Sequence, residues 1–177
     1  MRVAIVADTH GFLDPRISDR IAECDIAVHA GDVGGADVLC AMQPREEVIA
    51  VRGNTDDPKS WPDHEAHMLE NLAEEVVLNL PGGRLAVTHG DRFNPASTRH
   101  EQLRRAYPDV QAIVVGHSHD LTVDDRNVPW VLNPGAAGRV RTQGGPSMLL
   151  LDCEPGRWSV ETIKLPPRKY RSITAEE

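Results

Sequence analysis

The sequence predicts an α/β protein with a parallel sheet in its first half and a β-rich second half. Short apolar runs alternate with helix-like segments as far as Val51, and a hairpin pattern follows around Pro81. Further short strand candidates continue beyond Leu121. Because strands that alternate with helices favour a parallel sheet, the simplest arrangement is two stacked sheets flanked by helices.

The first half is predicted to form a βαβαβ unit. Val3–Ala7 is a continuous apolar run, as expected of a strand that is buried on both faces. Asp14 and Pro15 supply a helix N-cap and a first-turn proline, and Ile17 and Ile21 then share one helical face. The next strand, a short helix and a third strand are predicted at Ile26–Val28, Ala36–Met42 and Val48–Val51.

The second half begins with a predicted β-hairpin. Val76–Leu80 and Arg84–Val87 flank the turn Pro81–Gly83. Asn94-Pro95 then opens a predicted helix, which Pro108 ends. The remaining predicted strands are Ala112–Val115, Leu121–Asp124, Val128–Leu132, Ser147–Asp152 and Trp158–Ile163.

The composition is that of an ordinary globular protein with 177 residues, of which 40% are hydrophobic and 26% charged. We expect a single domain over residues 1–165 and a polar tail over residues 166–177. The formal net charge of −8 argues against a protein that binds a nucleic-acid backbone, although a nucleotide could be a substrate. The three cysteines are far apart in the sequence, as is typical of free thiols in a reducing compartment. No stretch of the sequence approaches the ~20 apolar residues of a membrane span. We therefore expect a cytoplasmic protein with no membrane partner.

Residues of metal-ligating type recur directly after the predicted strands. They are Asp8, His10, Asp32, Asn54, His89, His117 and His119. Because ligands bind outside the carboxyl ends of strands in open α/β sheets, we expect these side chains to meet at one edge.

The donor set indicates which metal ions the site could take. It offers carboxylate, amide and imidazole groups but no thiolate, which excludes a cysteine-rich structural zinc site. Four imidazoles are too many for Mg²⁺ or Ca²⁺, and mixed nitrogen and oxygen donors suit Mn²⁺, Fe, Co²⁺, Ni²⁺ or Zn²⁺. Seven donors exceed what one ion needs and suit two ions that share a carboxylate, an arrangement that clamps a phosphoryl group.

The motifs D-x-H, G-D, G-N-x-D, H-G and G-H-x-H, in this order, resemble those of the calcineurin-like metallophosphoesterase superfamily. The short chain, the G-N-T-D variant and the Asn133–Ala136 turn resemble its small YfcE-like phosphodiesterase branch, over residues 1 to about 152. The resemblance implies a four-layer αββα sandwich of two mixed β-sheets. It also implies that one metal is held by Asp8, His10, Asp32 and His119, and the other by Asp32, Asn54, His89 and His117.

The resemblance further implies a divalent-metal-dependent phosphodiesterase. Two ions per chain, with Mn²⁺ the leading candidate, would activate a water or hydroxide that attacks a small or activated phosphate ester. Asp32, Asn54 and His89 would act in catalysis, together with Asp56 as a hydrogen-bond partner of a liganding histidine.

Other residues bear on the substrate and on the leaving group. Arg139 and Arg141 could reach the substrate phosphate, as could Asn54. Thr55 stands where larger relatives have a histidine that helps to protonate the leaving group, so the proton donor is left open. The interior position of His29 favours a hydrogen-bonded core histidine over a ligand.

A non-catalytic scaffold of the Vps29 type, which has the same fold, is the alternative function. A scaffold can lose metal ligands, whereas every motif ligand is present in this chain. The expected partner is therefore a small-molecule phosphate ester, and a homo-oligomer is an open expectation because relatives often form dimers or tetramers.

Overall fold

The structure is a computed structural model that describes residues 1–168, and the predicted polar tail lies largely outside these described residues. The strands are β1 Arg2–Val6, β2 Ile26–His29, β3 Glu47–Ala50, β4 Glu75–Leu80, β5 Gly83–Thr88, β6 Ala112–Val114, β7 Leu121–Asp124, β8 Trp130–Pro134, β9 Ser147–Glu154 and β10 Arg157–Lys164. The α-helices are α1 Pro15–Ile21, α2 Ala36–Ala41 and α3 Arg99–Ala106, and 3₁₀ helices span Ala66–Asn71 and Ala96–Thr98.

The strands form two five-stranded mixed sheets. The first sheet has the order β10-β9-β1-β2-β3, and its strands β1, β2 and β3 are parallel, with Val3 opposite Ile26 and Ile26 opposite Glu47. The second sheet has the order β4-β5-β6-β8-β7, in which β4 and β5 form the predicted hairpin and β5, β6 and β8 are parallel. The predicted βαβαβ unit and hairpin are therefore confirmed.

The core consists of apolar layers between the sheets and beneath the helices. Ile5 and Val28 of the first sheet pack with Leu85 and Val114 of the second in one buried cluster. Outside the first sheet, Ile17 of α1 is fully buried, which stabilises the helix by about 1.5–3 kcal/mol. A separate cluster under α3 covers the second sheet. The two sheets lie between helices, which confirms the predicted αββα fold class.

Helix α1 begins as the sequence predicts. The side chain of Asp14 accepts a hydrogen bond from the backbone N–H of Arg16, and Pro15 is the first helical residue. Proline has no N–H to lose at this position, because the first turn of a helix leaves its N–H groups without intrahelical partners.

Three local predictions differ from the structure. The helix expected to open at Asn94-Pro95 is α-helical only from Arg99, after a 3₁₀ turn at Ala96–Thr98. The strand expected over Val128–Leu132 is shifted to Trp130–Pro134, since Val128 is 61% exposed and Pro129 has no N–H to donate to a neighbouring strand. The 3₁₀ helix at Ala66–Asn71 was not predicted, because the surrounding segment has no sustained helical periodicity. No helix in the described part of the chain is long and apolar enough to cross a membrane.

Candidate metal centre

The seven residues predicted to bind metal lie in loops that follow β1, β2, β3, β5 and β6. Backbone hydrogen bonds join neighbouring loops in pairs. The N–H of Asp8 donates to the carbonyl of Gly31 (3.0 Å), and the N–H of His10 donates to that of Asp32 (3.0 Å). The N–H of Gly116 donates to the carbonyl of His89 (3.0 Å). The carboxyl ends of parallel strands thus bring residues distant in sequence to one edge, as the sheet prediction required.

Five of these residues have backbones in the left-handed region, which side chains other than glycine rarely adopt. They are Asp8 (φ 54°), His10 (φ 47°), Asp32 (φ 56°), His117 (φ 70°) and His119 (φ 60°). Each such conformation costs free energy and persists where the surrounding structure fixes it, and such positions cluster at functional sites. The backbone here therefore aims the side chains at the site at the expense of local stability.

One group of ligand atoms is formed by Asp8, His10 and His119, whose donor atoms lie within 4.8 Å of one another. Nε2 of His10 is 3.2 Å from Nε2 of His119, and the latter atom is 3.5 Å from Oδ1 of Asp8. The same Asp8 oxygen accepts a hydrogen bond from the backbone N–H of His117 at 3.2 Å. Carboxylate and imidazole donors thus converge from the loops after β1 and β6.

A second group surrounds Asp32. Its Oδ2 atom lies 3.3 Å from Nε2 of His89 and 3.8 Å from Nε2 of His10. Oδ1 of Asn54 is 3.1 Å from Nε2 of His89 and 3.0 Å from Nδ1 of His117. Asp32 therefore stands between the two halves of the site, although Asp8 is also close enough to join Asp32 and His89 as ligands.

The tautomer of His89 follows from a backbone contact. Its Nδ1 atom lies 2.8 Å from the carbonyl oxygen of Ala30, which can only accept a hydrogen bond. Nδ1 therefore carries a proton, and in the neutral ring Nε2 has the free lone pair that a metal ion would need.

Features independent of the motifs show that divalent ions fit here. Oδ2 of Asp8 is buried without a hydrogen-bond partner among residues 1–168, which is costly for a polar atom and would be relieved by a bound cation. Only glycine fits beside two of the candidate ligands: a Cβ on Gly53 would clash with Oδ1 of Asp32, and one on Gly31 would lie 2.7 Å from Nδ1 of His89. Two buried carboxylates, an amide oxygen and imidazoles form a donor set that suits divalent transition metals.

The two carboxylates differ in their affinity for protons. Burial raises the pKa of Asp8 to about 7, and the negative charge of Asp32 contributes to this rise. Burial acts in the same direction on Asp32, but hydrogen bonds from His89 and from the N–H of Thr55 (2.9 Å) hold the pKa of Asp32 well below its usual range. Asp32 is therefore ionised at neutral pH, whereas Asp8 is only partly ionised.

The four imidazoles also divide into two kinds. Burial is the largest cause that lowers the pKa values of His10, His117 and His119. For His89 burial is outweighed by the hydrogen bond and charge of Asp32, so its pKa is raised. Three imidazoles are thus favoured in the neutral form that binds metal.

Asp56 does not contact a liganding histidine, contrary to the expectation from the sequence. Its carboxylate accepts hydrogen bonds from the backbone N–H groups of Val33 (3.0 Å), Gly34 (2.9 Å) and Gly53 (2.9 Å), and from Nε1 of Trp61 (2.9 Å). These donors belong to the loops after β2 and β3, so a buried carboxylate can satisfy backbone groups that the sequence pattern does not reveal. Asp56 therefore holds together the loops that carry Asp32 and Asn54.

The two candidate substrate arginines occupy different positions. Nη2 of Arg141 lies 3.1 Å from Nε2 of His119, at the centre itself. The guanidinium of Arg139 instead stacks 3.5 Å from the ring centre of Phe12. The structure thus brings Arg141, but not Arg139, into contact with the candidate ligands.

A cavity of about 240 Å³ adjoins the site at Asn54, and charged residues dominate its lining. Arg52 and Asp91 lie on its walls, as does Arg92, whose guanidinium is paired with Glu74 at 2.9 Å. A molecule that enters this cavity meets groups able to donate and to accept hydrogen bonds.

Asn133 is a supporting residue to which sequence reasoning gave no role. Its buried side chain donates from Nδ2 to the carbonyl of Gly116 (2.9 Å) and to Oγ of Ser118 (3.0 Å), so it fixes the loop between β6 and β7. The sequence contains the Asn-Pro-Gly-Ala turn, but only the fold shows that Asn133 holds the loop that carries His117 and His119.

The fold and this set of ligand types define a metal-binding phosphoesterase class, and comparison with known proteins agrees. A family model described as the calcineurin-like phosphoesterase superfamily domain matches residues 1–156. The chain belongs to this superfamily, which confirms the family predicted from its motifs.

Two archaeal relatives are each described as a probable metallophosphoesterase. The protein from Methanocaldococcus jannaschii is 27% identical over 142 residues, which cover 77% of this chain and 68% of the relative. The protein from Methanothermobacter thermautotrophicus is 22% identical over 180 residues, with 98% of each chain covered.

Solved structures share the fold at lower sequence identity. A Vps29 mutant from Entamoeba histolytica superimposes with a TM-score of 0.73 at 20% identity, covering 93% of this chain and 99% of that one. A structure described as a novel archaeal phosphodiesterase superimposes with a TM-score of 0.65 at 19% identity, covering 92% and 100%.

Proposed function

We propose that this protein is a divalent-metal-dependent phosphodiesterase with a dinuclear centre. The observation that carries the proposal is the convergence of seven donor side chains from five strand ends, among them Oδ2 of Asp8, a buried polar atom without a hydrogen-bond partner among the described residues. Membership of the phosphoesterase superfamily supports the reaction class, and the archaeal phosphodiesterase among the structural neighbours supports a diester as substrate.

The proposed ligands are those that the motifs indicated. Asp8, His10, Asp32 and His119 would hold one ion, and Asp32, Asn54, His89 and His117 would hold the other. Divalent ions at such a site would supply Lewis acidity toward phosphate oxygens. They would also lower the pKa of a bound water to about 7. Mn²⁺ is the proposed native metal, and Ni²⁺, Co²⁺, Fe and Zn²⁺ suit the same donors.

The protein's own residues bind and orient the ester. Arg141 supplies a guanidinium beside His119, where it can pair with a phosphate oxygen. Asn54 faces both His89 and the charged cavity, so a phosphate at the centre can place its ester substituent there. Asp56 accepts hydrogen bonds from both the loop that carries Asp32 and the loop that carries Asn54, so it holds them together and is a positioning residue.

A non-catalytic scaffold of the Vps29 type is the second candidate, because Vps29 structures are among the neighbours. One of these is described as Vps29 from Entamoeba histolytica complexed with Zn²⁺, so metal binding alone does not separate the two functions. The position of Arg141 beside the proposed ligands favours an enzyme, since a scaffold has no need of a cation that can bind phosphate there.

An activity screen of metal-stripped protein tests the proposal. The protein is reconstituted with each ion in turn and assayed with phosphomonoesters, phosphodiesters and nucleotides, with Asp32→Asn as the inactive control. We expect metal-dependent hydrolysis of diesters by the wild type alone. Equal rates for wild type and Asp32→Asn, or no hydrolysis with any ion, would refute the enzyme and favour the scaffold.

A further inference from the structure

His29 and Thr9 form a buried pair directly beneath the candidate metal centre. His29 is the last residue of β2 and Thr9 lies between Asp8 and His10, and their side chains are 0% and 1% exposed. Oγ1 of Thr9 is 2.8 Å from Nε2 of His29. Neither residue belongs to the proposed ligand set.

The direction of every hydrogen bond in this pair follows from its backbone partners. The N–H of Gly31 can only donate, and it lies 3.2 Å from Nδ1 of His29, so Nδ1 accepts. In the neutral ring the proton is then on Nε2, which donates to Oγ1 of Thr9. The Thr9 hydroxyl in turn donates to the carbonyl of Val33 at 2.9 Å.

This chain of hydrogen bonds connects the loops that carry three proposed ligands. Thr9 is flanked by Asp8 and His10 in the loop after β1, whereas Gly31 and Val33 flank Asp32 in the loop after β2. The imidazole is thus a rigid bridge between two loops whose ligand residues have strained, left-handed backbones. Such loops need outside contacts to hold their shape.

We propose that His29, acting through Thr9, is a positioning residue that sets the spacing of Asp8 and His10 relative to Asp32. The inference rests on the proposed metal centre. Without His29 the ligand residues would still be present, but Asp8 and His10 would be displaced relative to Asp32. His29 and Thr9 hold the loops of these ligands and not the ligand side chains themselves. Loss of a hydrogen bond that supports a metal ligand typically weakens metal binding by ~10–100-fold, which is the effect expected here.

The test measures Mn²⁺ affinity by calorimetry and checks folding by circular dichroism. His29→Leu removes the imidazole, Thr9→Val removes the hydroxyl at nearly constant shape, and Thr9→Ser keeps the hydroxyl. Val28→Ala is the control for general loss of stability, because Val28 lies on the same strand but packs into the core between the sheets.

We expect His29→Leu and Thr9→Val to bind Mn²⁺ about 10–100-fold more weakly than wild type, and Thr9→Ser and Val28→Ala to bind it normally. Normal affinity in a folded Thr9→Val or His29→Leu protein would overturn this inference and leave the proposed function intact. An equal loss in Val28→Ala would also overturn it, since lower stability would then be the cause. Wild-type protein that binds no Mn²⁺ would refute the proposed metal centre and the inference with it.

Discussion

Nε2 of His10 lies 3.2 Å from Nε2 of His119, and the two rings are stacked with their centres 5.2 Å apart. The residues are 109 positions apart in the chain and follow strands of different sheets. Two imidazole nitrogens that face one small space beside the buried carboxylate of Asp8 are the arrangement expected of ligands to a common cation. This contact is where the two sheets jointly build the candidate centre.

Replacement of Asp32 by asparagine should abolish tight binding of the metal pair. The carboxylate stands between His10 and His89 and is held ionised, so the substitution removes the negative charge nearest to both halves of the site. The loss of affinity and turnover should exceed the ~10–100-fold typical of an outer-shell partner. Metal content per chain after reconstitution is the measurement, and two tightly held ions with undiminished turnover would contradict the prediction.

Alanine substitutions of His10 and His89 should weaken different sites. His10 groups with Asp8 and His119, whereas His89 faces Asp32 and Asn54. Partial coupling is expected because the two halves share neighbouring carboxylates. Anomalous-scattering occupancies in crystals of the two variants measure the effect, and identical losses at both positions in both variants would show that the assignment is wrong.

Metal binding should release more protons per bound ion below neutral pH than above it. Burial raises the pKa of Asp8 to about 7, so near pH 6 an incoming ion must displace a proton from this carboxyl, whereas at pH 8.5 it is already ionised. His89, whose pKa is raised by Asp32, must also lose its Nε2 proton to bind metal, so apparent affinity should increase with pH and level off once both groups are deprotonated. Calorimetry in buffers of different ionisation enthalpy counts the released protons.

The same pKa can be checked in metal-free protein. ¹³C NMR should show one aspartate carboxyl that titrates near 7 and that is absent from Asp8→Asn. A normal aspartate pKa at this position, or proton release that does not vary with pH, would contradict the assignment.

The sequence was sufficient to predict the sheets and the set of side chains that the fold brings to one edge, because both follow from short-range patterns. The apolar run Val3–Ala7 marks a buried strand, and Asp8 directly after it marks a strand end where ligands gather. The hydrogen bonds of Asp56 could not be predicted in the same way. Its donors lie up to 23 residues away, and only the folded loops bring them within reach.

The arginines illustrate a second limit of sequence reasoning. Arg139 and Arg141 are equivalent in the sequence pattern, yet one stacks on Phe12 and the other reaches His119. The backbone conformation of the loop decides which side chain turns inward, and Arg141 has a positive φ of 50°. Residue type and spacing carry no information about that turn.

Substitution of Arg141 by alanine should raise KM for a diester more than the same change at Arg139. A hydrogen bond to a charged group contributes about 1.5–3 kcal/mol, so the loss at Arg141 corresponds to about 10–100-fold in kcat/KM. Arg139→Ala is the matched control because its guanidinium stacks on Phe12 and does not contact a proposed ligand. Equal effects of the two substitutions would argue against a specific phosphate contact by Arg141.

The absence of a titratable side chain at Thr55 predicts a strong dependence on the leaving group. Thr55 donates its backbone N–H to Asp32, and a threonine hydroxyl cannot serve as a general acid near neutral pH. Such an acid typically contributes ~10²–10⁴-fold. Aryl diesters should therefore react fast and alkyl diesters slowly, and Thr55→His should flatten this dependence if the imidazole reaches the leaving oxygen.

A series of aryl and alkyl phosphodiesters, assayed with wild type and Thr55→His, measures that dependence. A shallow slope in the wild type would show that another group donates the proton, and the proposed role of position 55 would then be abandoned.

The proposed function requires that two divalent ions bind side by side at the strand ends, one on each side of Asp32. The most direct measurement is the anomalous difference map of crystals grown with Mn²⁺, collected at an energy where manganese scatters anomalously. We expect two peaks about 3.5–4 Å apart, one contacting His10 and His119 and the other contacting His89 and His117. A single peak, or peaks away from these histidines, would contradict it.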